Sequence, residues 1–294
     1  MSGMFRSDST ATANRIVRLQ TYFQEAVLDG GHFICRHATA CKSSHRGVFY
    51  EGQLPHIGHH YDLFIDDRPL RVAVVGQEYG HNPIHVSMRD RHRMIVRDTG
   101  LGRRFRREGS HLARNPHMRG TTSLLRLAFG LGLGSDHASE FLHLPEGRVH
   151  LFDAFALVNF LLCSAVPLGS AAPSSAFDSE RFKGAGKGRS TFEMQRNCAR
   201  HFRETLRILE PTLVVAQGAG VRSWLKRSFE INVLNPAPLE ALRIDAQWLP
   251  LLALTHPSAH FPYNWGANER TPYLLEVVAP AVDVALGRRD ASAI

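Results

Sequence analysis

The sequence predicts an α/β protein, a three-layer α/β/α sandwich around a central, mainly parallel four-stranded sheet. Three observations predict it. Four short apolar runs lie at residues 72–75, 149–162, 213–216 and 250–254. Each closes in a glycine or polar turn, and amphipathic helical stretches lie between them. Strands buried on both faces read as continuous apolar runs, and alternation with helices calls for crossover connections and parallel pairing.

Each element has its own local reason. Residues 14–29 place Ile16, Leu19, Phe23 and Val27 three or four apart, an amphipathic helix that Gly30 and Gly31 stop. Residues 35–68 are rich in His and Gly without a period, which reads as a long ordered loop that needs something to pin it. The run Val72 to Val75 is the first strand, and Gly76 breaks it. Over 121–131, Leu124, Leu125, Ala128 and Leu131 share one helical face, with Thr121 or Thr122 as the cap.

The second apolar run carries Asn159, a carboxamide that must find partners if buried. Residues 164–189, rich in Ser, Ala, Gly and Pro, read as a flexible loop. Ser190 and Glu193 form a capping box for a helix that buries Phe192, Cys198, Ala199, Phe202, Leu206 and Leu209 and ends at Pro211. The third strand, Leu213 to Ala216, closes at Gln217-Gly218, and a basic helix follows from Val221 to Phe229. The fourth strand, Pro250 to Leu254, closes at Thr255-His256-Pro257-Ser258, and residues 269–286 form a helix interrupted near Pro280.

The 294 residues suit one domain, with residues 1–30 as an N-terminal helical extension and residues 85–120 as an Arg-rich insertion. That insertion holds ten arginines against Asp90, Asp98 and Glu108, a net +7 in a chain whose whole formal charge is +8. Such a field suits phosphate backbones, where each neutralised phosphate releases counterions. No run approaches the roughly 18 apolar residues of a membrane span. The Ser/Thr-rich start lacks the pattern of a secretory leader, so an intracellular location, with no membrane partner, is expected.

Four cysteines occur, at 35, 41, 163 and 198. A reducing compartment disfavours disulfides, leaving two readings: unrelated buried thiols, or four thiolates converging on a metal or cluster. Cys35 and Cys41 have five residues between them, which is not the usual short zinc spacing.

Parallel strands open their carboxyl ends on one edge, so Glu78, Asn159, Gln217 and His256 should face one cleft. Neither a Gly-x-Ser-x-Gly nucleophile turn nor a Gly-x-x-x-x-Gly-Lys phosphate loop is present. Cleavage of the bond between a nucleobase and deoxyribose would use these groups directly. Glu78 would stabilise the sugar cation and orient water, His256 would hydrogen-bond the base oxyanion, and Asn159 would hold a uracil edge.

The segment Gly76-Gln-Glu-Tyr-Gly-His81 resembles the first motif of the uracil-DNA glycosylase superfamily, Gly-Gln-Asp-Pro-Tyr-His in one branch and Gly-Glu-Ala-Pro-Gly in the iron-sulfur branch. His256-Pro257-Ser258 resembles its second motif, and Val158-Asn159-x-x-x-Cys163 resembles a Thr-Asn-x-x-x-Cys run of the iron-sulfur branch. Cys198 sits on the helix leading into residues 209–218, as the last cluster cysteine does there. The resemblance covers roughly residues 35–260.

The resemblance implies a monofunctional glycosylase of base excision repair acting on uracil in DNA, with the three catalytic roles just given. It implies a [4Fe-4S] cluster of structural task on Cys35, Cys41, Cys163 and Cys198. The base pocket would comprise Gly76, Gln77, Tyr79, Gly80, His117 and Asn159. His117 stands where the family has a stacking Phe, and Gly80 stands where one branch has the Tyr that excludes thymine, so a roomier pocket accepting other deaminated or modified bases is expected. DNA would be gripped by Ser258, His260, Arg119, Arg103 and Arg104. A monomeric, cytoplasmic, nucleoid-associated protein is expected. The other classes are a non-catalytic binder of uracil or abasic DNA with the same fold, and a hydrolase of small phosphate compounds.

Overall fold

The computed structural model describes residues 4–45, 48–78, 85–166, 191–234 and 238–289. Its centre is a seven-stranded mixed sheet rather than a four-stranded one. In chain order the strands are β1 (His56–Ile57), β2 (Val72–Gly76), β3 (Ala156–Asn159), β4 (Leu213–Gln217), β5 (Ile231–Val233), β6 (Leu239–Ile244) and β7 (Gln247–Leu254). Across the sheet they run β5-β6-β7-β4-β2-β3-β1. The pairs β7–β4, β4–β2 and β2–β3 are parallel, whereas β1, β5 and β6 join antiparallel. The three extra strands were not separable by pattern: β1 has two residues and β5 three, and β6, with Glu240 and Arg243 among its apolar residues, lacks a continuous apolar run.

The helices are α1 (Ser9–Ala26), α2 (Ala38–Ser43), α3 (Met88–His92), α4 (Arg103–Glu108), α5 (Pro116–Ala128), α6 (Phe192–Leu209), α7 (Ala219–Ser228) and α8 (Ala279–Ala285). Period-2 alternation divides the central strands between two cores. Ala73, Val75, Val158, Val214, Ala216 and Leu251 join Leu19 and Phe23 of α1, Phe202 and Leu206 of α6, and Leu225 of α7. Val72, Val74, Leu157, Leu213, Val215 and Leu252 join Leu124, Leu125 and Ala128 of α5 and Val282 of α8 on the other face. α1 is thus part of a main core, not an appendage.

Local boundaries differ from the pattern reading for identifiable reasons. α5 starts at Pro116, because Asn115 accepts from Met118 N–H at 2.9 Å and Pro116 needs no donor partner. α6 is capped by Thr191, not Ser190, which lies outside the described residues; Phe192 is 64% exposed rather than buried. The apolar run 149–162 is not one strand. It comprises the end of the hairpin strand Gly147–His150, a 3₁₀ turn Leu151–Asp153 and then β3. Residues 35–68 are not one loop either: they hold α2 and short strands, of which Val48–Tyr50 pairs with Ser164–Val166. In the C-terminal segment a π-helical turn, Leu274–Val278, precedes α8, with Pro280 in the first turn where a missing N–H costs nothing.

The Arg-rich segment is not uniformly a surface. Arg91 and Arg114 are buried, the latter bonded bidentately to Glu140 at 2.8 and 2.7 Å and also to Thr99 O, Gly100 O and Thr122 Oγ1. Seven arginines remain exposed: 89, 93, 97, 103, 104, 106 and 107. Arg114 therefore locks the stretch just before α5, while α4 carries a basic outer face.

Two glycines let the start of α5 approach the loop after β7. A Cβ on Gly120 would lie 2.7 Å from Pro257 Cβ, and one on Gly266 would lie 2.0 Å from Pro116 O. Gly266→Ala is therefore expected to destabilise the fold by about 2–3 kcal/mol through forced backbone displacement. A urea midpoint equal to that of the wild type would contradict this packing.

Candidate functional site

The sheet order carries a switch. From β2 the chain crosses over one face, by way of α5, to β3 on one side. From β3 it crosses the other face, by way of α6, to β4 on the opposite side of β2. The carboxyl ends of β2, β3 and β4 thus splay around a crevice, the place where open α/β sheets take ligands.

The residues there come from four distant segments. Gly76 and Asn159 are register partners, and a Cβ on Gly76 would stand 3.3 Å from Asn159 Oδ1, so the glycine is what admits the carboxamide. Beyond the register, Phe160 N–H donates to Gly76 O and Leu161 N–H to Gln77 O, which keeps the two strand ends parallel into the crevice. Gln77 Oε1 lies against Gly220, and His256 packs on Gly218, whose φ of 118° needs a residue without Cβ. Both side chains therefore border the same β4–α7 turn.

Across the crevice the His117 and His256 rings stack, with centroids 5.7 Å apart and planes 23° apart. His117 lies against Gln217, whose Nε2 donates to Thr121 Oγ1 at 3.1 Å. Burial, and then the His256 ring, push the His117 pKa down to about 3, so the ring is neutral at physiological pH. His256 keeps an exposed edge, yet protein surrounds enough of it that desolvation lowers its pKa as well. Ser258 N–H donates to His256 Nδ1 at 3.2 Å, and Ser258 Oγ lies 2.7 Å from the same atom. A neutral ring that accepts at Nδ1 carries its proton on Nε2, so His256 is set as a donor. Thr121 and Gln217 are the members that motif reading did not assign; the signal for Gln217 was its place at the end of an apolar run.

Glu78 departs from this group. Burial pushes its carboxyl up to about 7, opposed in part by a hydrogen bond from Ala165 N–H. Its Oε2 is buried without a partner among the described residues. Tyr79 and Gly80, expected in the pocket, lie outside the described residues. Ser258, expected on DNA, is exposed and also fixes the tautomer of His256. Arg119 is half-buried and donates to Leu112 O at 3.1 Å, which holds it on the 111–119 turn, while its Nε has no hydrogen-bond partner among the described residues. His260, Arg103 and Arg104 are exposed, and Phe261 is 74% exposed on the same loop as His260.

All four cysteines are free thiols, and they line one small cavity of about 10 Å³ with His37, Asn197 and His201. The spacing of Cys35 and Cys41 is bridged by α2, which turns both sulfurs to the same side. Burial raises the pKa of each thiol, Cys198 to about 12, and neighbouring sulfurs add to the rise at Cys41, Cys163 and Cys198. Donors are nonetheless aimed at sulfur: Asn197 Nδ2 lies 3.4 Å from Cys41 Sγ, and backbone groups of Gly52, Leu162 and His37 bond Cys163, Cys198 and Cys35. No three of these sulfurs have the mutual spacing of ligands to one ion, so a centre held by all four would be larger than a single ion.

The raised carboxyl at Glu78 gives a stability signature. Folded near 7 and unfolded near its ordinary 4.5, it binds more protons in the folded state between those values, so its contribution falls as pH rises through that window. Glu78→Gln is expected to match the wild type at about pH 4 and to exceed it at about pH 8, by on the order of 3 kcal/mol. Parallel denaturant midpoints across that range would detect the difference, and a pH-independent offset would exclude it. Comparison with models of known protein families and with curated proteins returns no match to this chain.

Proposed function

We propose that the chain is a DNA glycosylase that hydrolyses the bond between uracil, or a related deaminated or modified base, and deoxyribose, leaving an abasic site. The observation that carries this reading is the meeting of Asn159, Gln77, His117 and His256 at the carboxyl ends of parallel strands, with His256 held as an Nε2–H donor by Ser258. The resemblance of residues 76–81, 158–163 and 256–258 to uracil-DNA glycosylase motifs supports it independently.

In this reading Asn159 offers one donor and one acceptor to the base edge, and the close approach at Gly76 leaves room for a flat ring beside it. As the glycosidic bond stretches, negative charge grows on the base, and the neutral His256 stabilises it by hydrogen bonding without giving up a full proton. The Oε2 of Glu78 is the atom offered to the attacking water, and the ionised carboxylate would also stabilise the developing sugar cation. His117, neutral and stacked on His256, supplies a flat wall to the pocket where the resemblance places a Phe. The exposed arginines of α4 lie on the side of His117, because α4 packs on the 111–113 turn that abuts α5; they suit flanking phosphates. Phe261, exposed on the loop after His256, would wedge into the stack as the nucleotide leaves it.

The donor set of the cysteine cavity fits a [4Fe-4S] cluster held by Cys35, Cys41, Cys163 and Cys198. Such a cluster would supply a rigid cross-link, joining α2, the turn after β3 and α6.

Two measurements test these assignments. A single-stranded oligonucleotide containing one uracil is expected to be cleaved after alkali in the presence of the protein, and His256→Ala is expected to slow this by about 10²- to 10³-fold. The rate should rise with pH through about 7 as Glu78 ionises, and lose that rise in Glu78→Gln. Binding of the oligonucleotide by wild type without any cleavage would identify a non-catalytic binder of the same fold. Separately, the freshly purified protein is expected to be brown with visible absorption, and Cys198→Ser to lose the colour; a colourless protein with intact thiols excludes the cluster.

A further inference from the structure

Among the described residues two groups have the spacing of metal ligands, and one of them is already full. Glu140 of the buried His137, Glu140, His150 group takes both its strong bonds from Arg114, a fixed cation that a metal ion would have to face. The other group, His59, His92 and Asp153, has no such occupant. We propose that it is a divalent transition-metal site, of zinc-binding chemistry, which clamps the start of the Arg-rich segment to the sheet edge opposite the strand-end crevice.

One nitrogen from each ring and one carboxylate oxygen lie within 4.8 Å of one another. His59 Nδ1 and His92 Nε2 each stand 3.8 Å from the same oxygen, Asp153 Oδ1. That is too long for a hydrogen bond. It exceeds the ligand separation around a zinc ion by only a few tenths of an ångström, for bonds of about 2.0–2.2 Å. The tautomer of His92 is fixed by its surroundings: Nδ1 lies 3.1 Å from Ile57 O, a pure acceptor, so Nδ1 carries the proton. Its Nε2 lone pair therefore points toward a carboxylate oxygen, an arrangement that a cation between them would satisfy. A backbone carbonyl on the far nitrogen is the usual outer support of a ligating histidine. Asp153 is oriented by the backbone N–H of His59, which donates to the same Oδ1 at 2.7 Å and leaves that oxygen a second lone pair.

The three ligands come from three segments. His59 follows β1, His92 ends α3, and Asp153 ends the 3₁₀ turn before β3. Close packing already brings two of them together: a Cβ on Gly58 would lie 2.3 Å from the Asp153 backbone, and His60 N–H donates to Asp153 O. The side chain of His59 is 63% exposed, so at least one coordination position faces water. Two imidazoles and one carboxylate select a borderline ion such as zinc over calcium or magnesium, which take oxygen ligands. Asp153 precedes β3 whereas Asn159 ends it, so the clamp lies at the other end of that strand from the proposed base pocket. Its role is to fix where the basic segment leaves the sheet.

The test uses the full-length protein with its cysteine cavity left intact, so that any metal held there contributes equally to every variant. After dialysis against ZnCl₂, metal content per chain and the thermal midpoint are measured for wild type, His59→Ala and Asp153→Asn. The exposed His59 side chain can be removed without opening the core, and Asp153→Asn preserves shape while weakening the ligand. Wild type is expected to hold one more zinc per chain than His59→Ala, and zinc to raise the wild-type midpoint but not that of His59→Ala. Asp153→Asn should bind at least about tenfold more weakly. Equal zinc content and equal midpoint response in all three proteins overturns the site.

Discussion

The parallel pairing of β2 with β3 on one side and β4 on the other governs everything placed at the crevice. It brings Gly76 opposite Asn159, and it sets Gln217 one step beyond the last paired residues of β2. Reversal of a strand would send its polar terminus to the other edge, and a one-residue slip would turn its side chains to the wrong core. Because Val72 to Val75 and Leu213 to Ala216 are fully buried on both faces, register is enforced by two cores at once. The polar residues at the strand ends gain their positions from apolar residues that take no part in chemistry.

A second constraint joins the crevice to the rest of the chain. The α5 start and the loop after β7 meet at Gly120, Pro257 and Gly266, where no side chain would fit. That junction carries His117 and His256 on its two sides and accounts for their stacked rings. The buried Arg114–Glu140 pair fixes the stretch just before α5, and the Trp265 indole N–H donates to Thr255 O at 2.7 Å behind His256. Neutral, desolvated imidazoles follow from this crowding, and neutrality is what lets His256 act as a hydrogen-bond donor rather than as a fixed charge.

The sheet has different demands at its two ends. At the carboxyl ends of the parallel strands, backbone groups and small residues leave space, and a buried carboxyl tolerates a raised pKa near 7. A carboxyl raised toward neutrality by burial costs the fold stability wherever it ionises. At the amino end of β3 the chain closes tightly around Asp153, with backbone bonds at Gly58 and His60 and two imidazoles over one oxygen. The proposed base pocket must admit a ligand, whereas the proposed clamp must exclude movement, and the two lie at opposite ends of one strand.

The sequence by itself determined the α/β class and that its apolar runs hold strands ending in polar residues, because fully buried strands and amphipathic helices are local patterns whose period survives without a partner. It also marked His117, His256 and the four cysteines as residues of interest. Only the tertiary structure decided that the sheet has seven strands, since two-residue β1 and the strands β5 and β6 are held by neighbours rather than by their own pattern. It alone decided that Arg91 and Arg114 are buried, that Ser258 turns toward His256, and that His59, His92 and Asp153 share one oxygen. Those outcomes depend on contacts between segments far apart in the chain, and such contacts leave no periodic trace in the residues that make them.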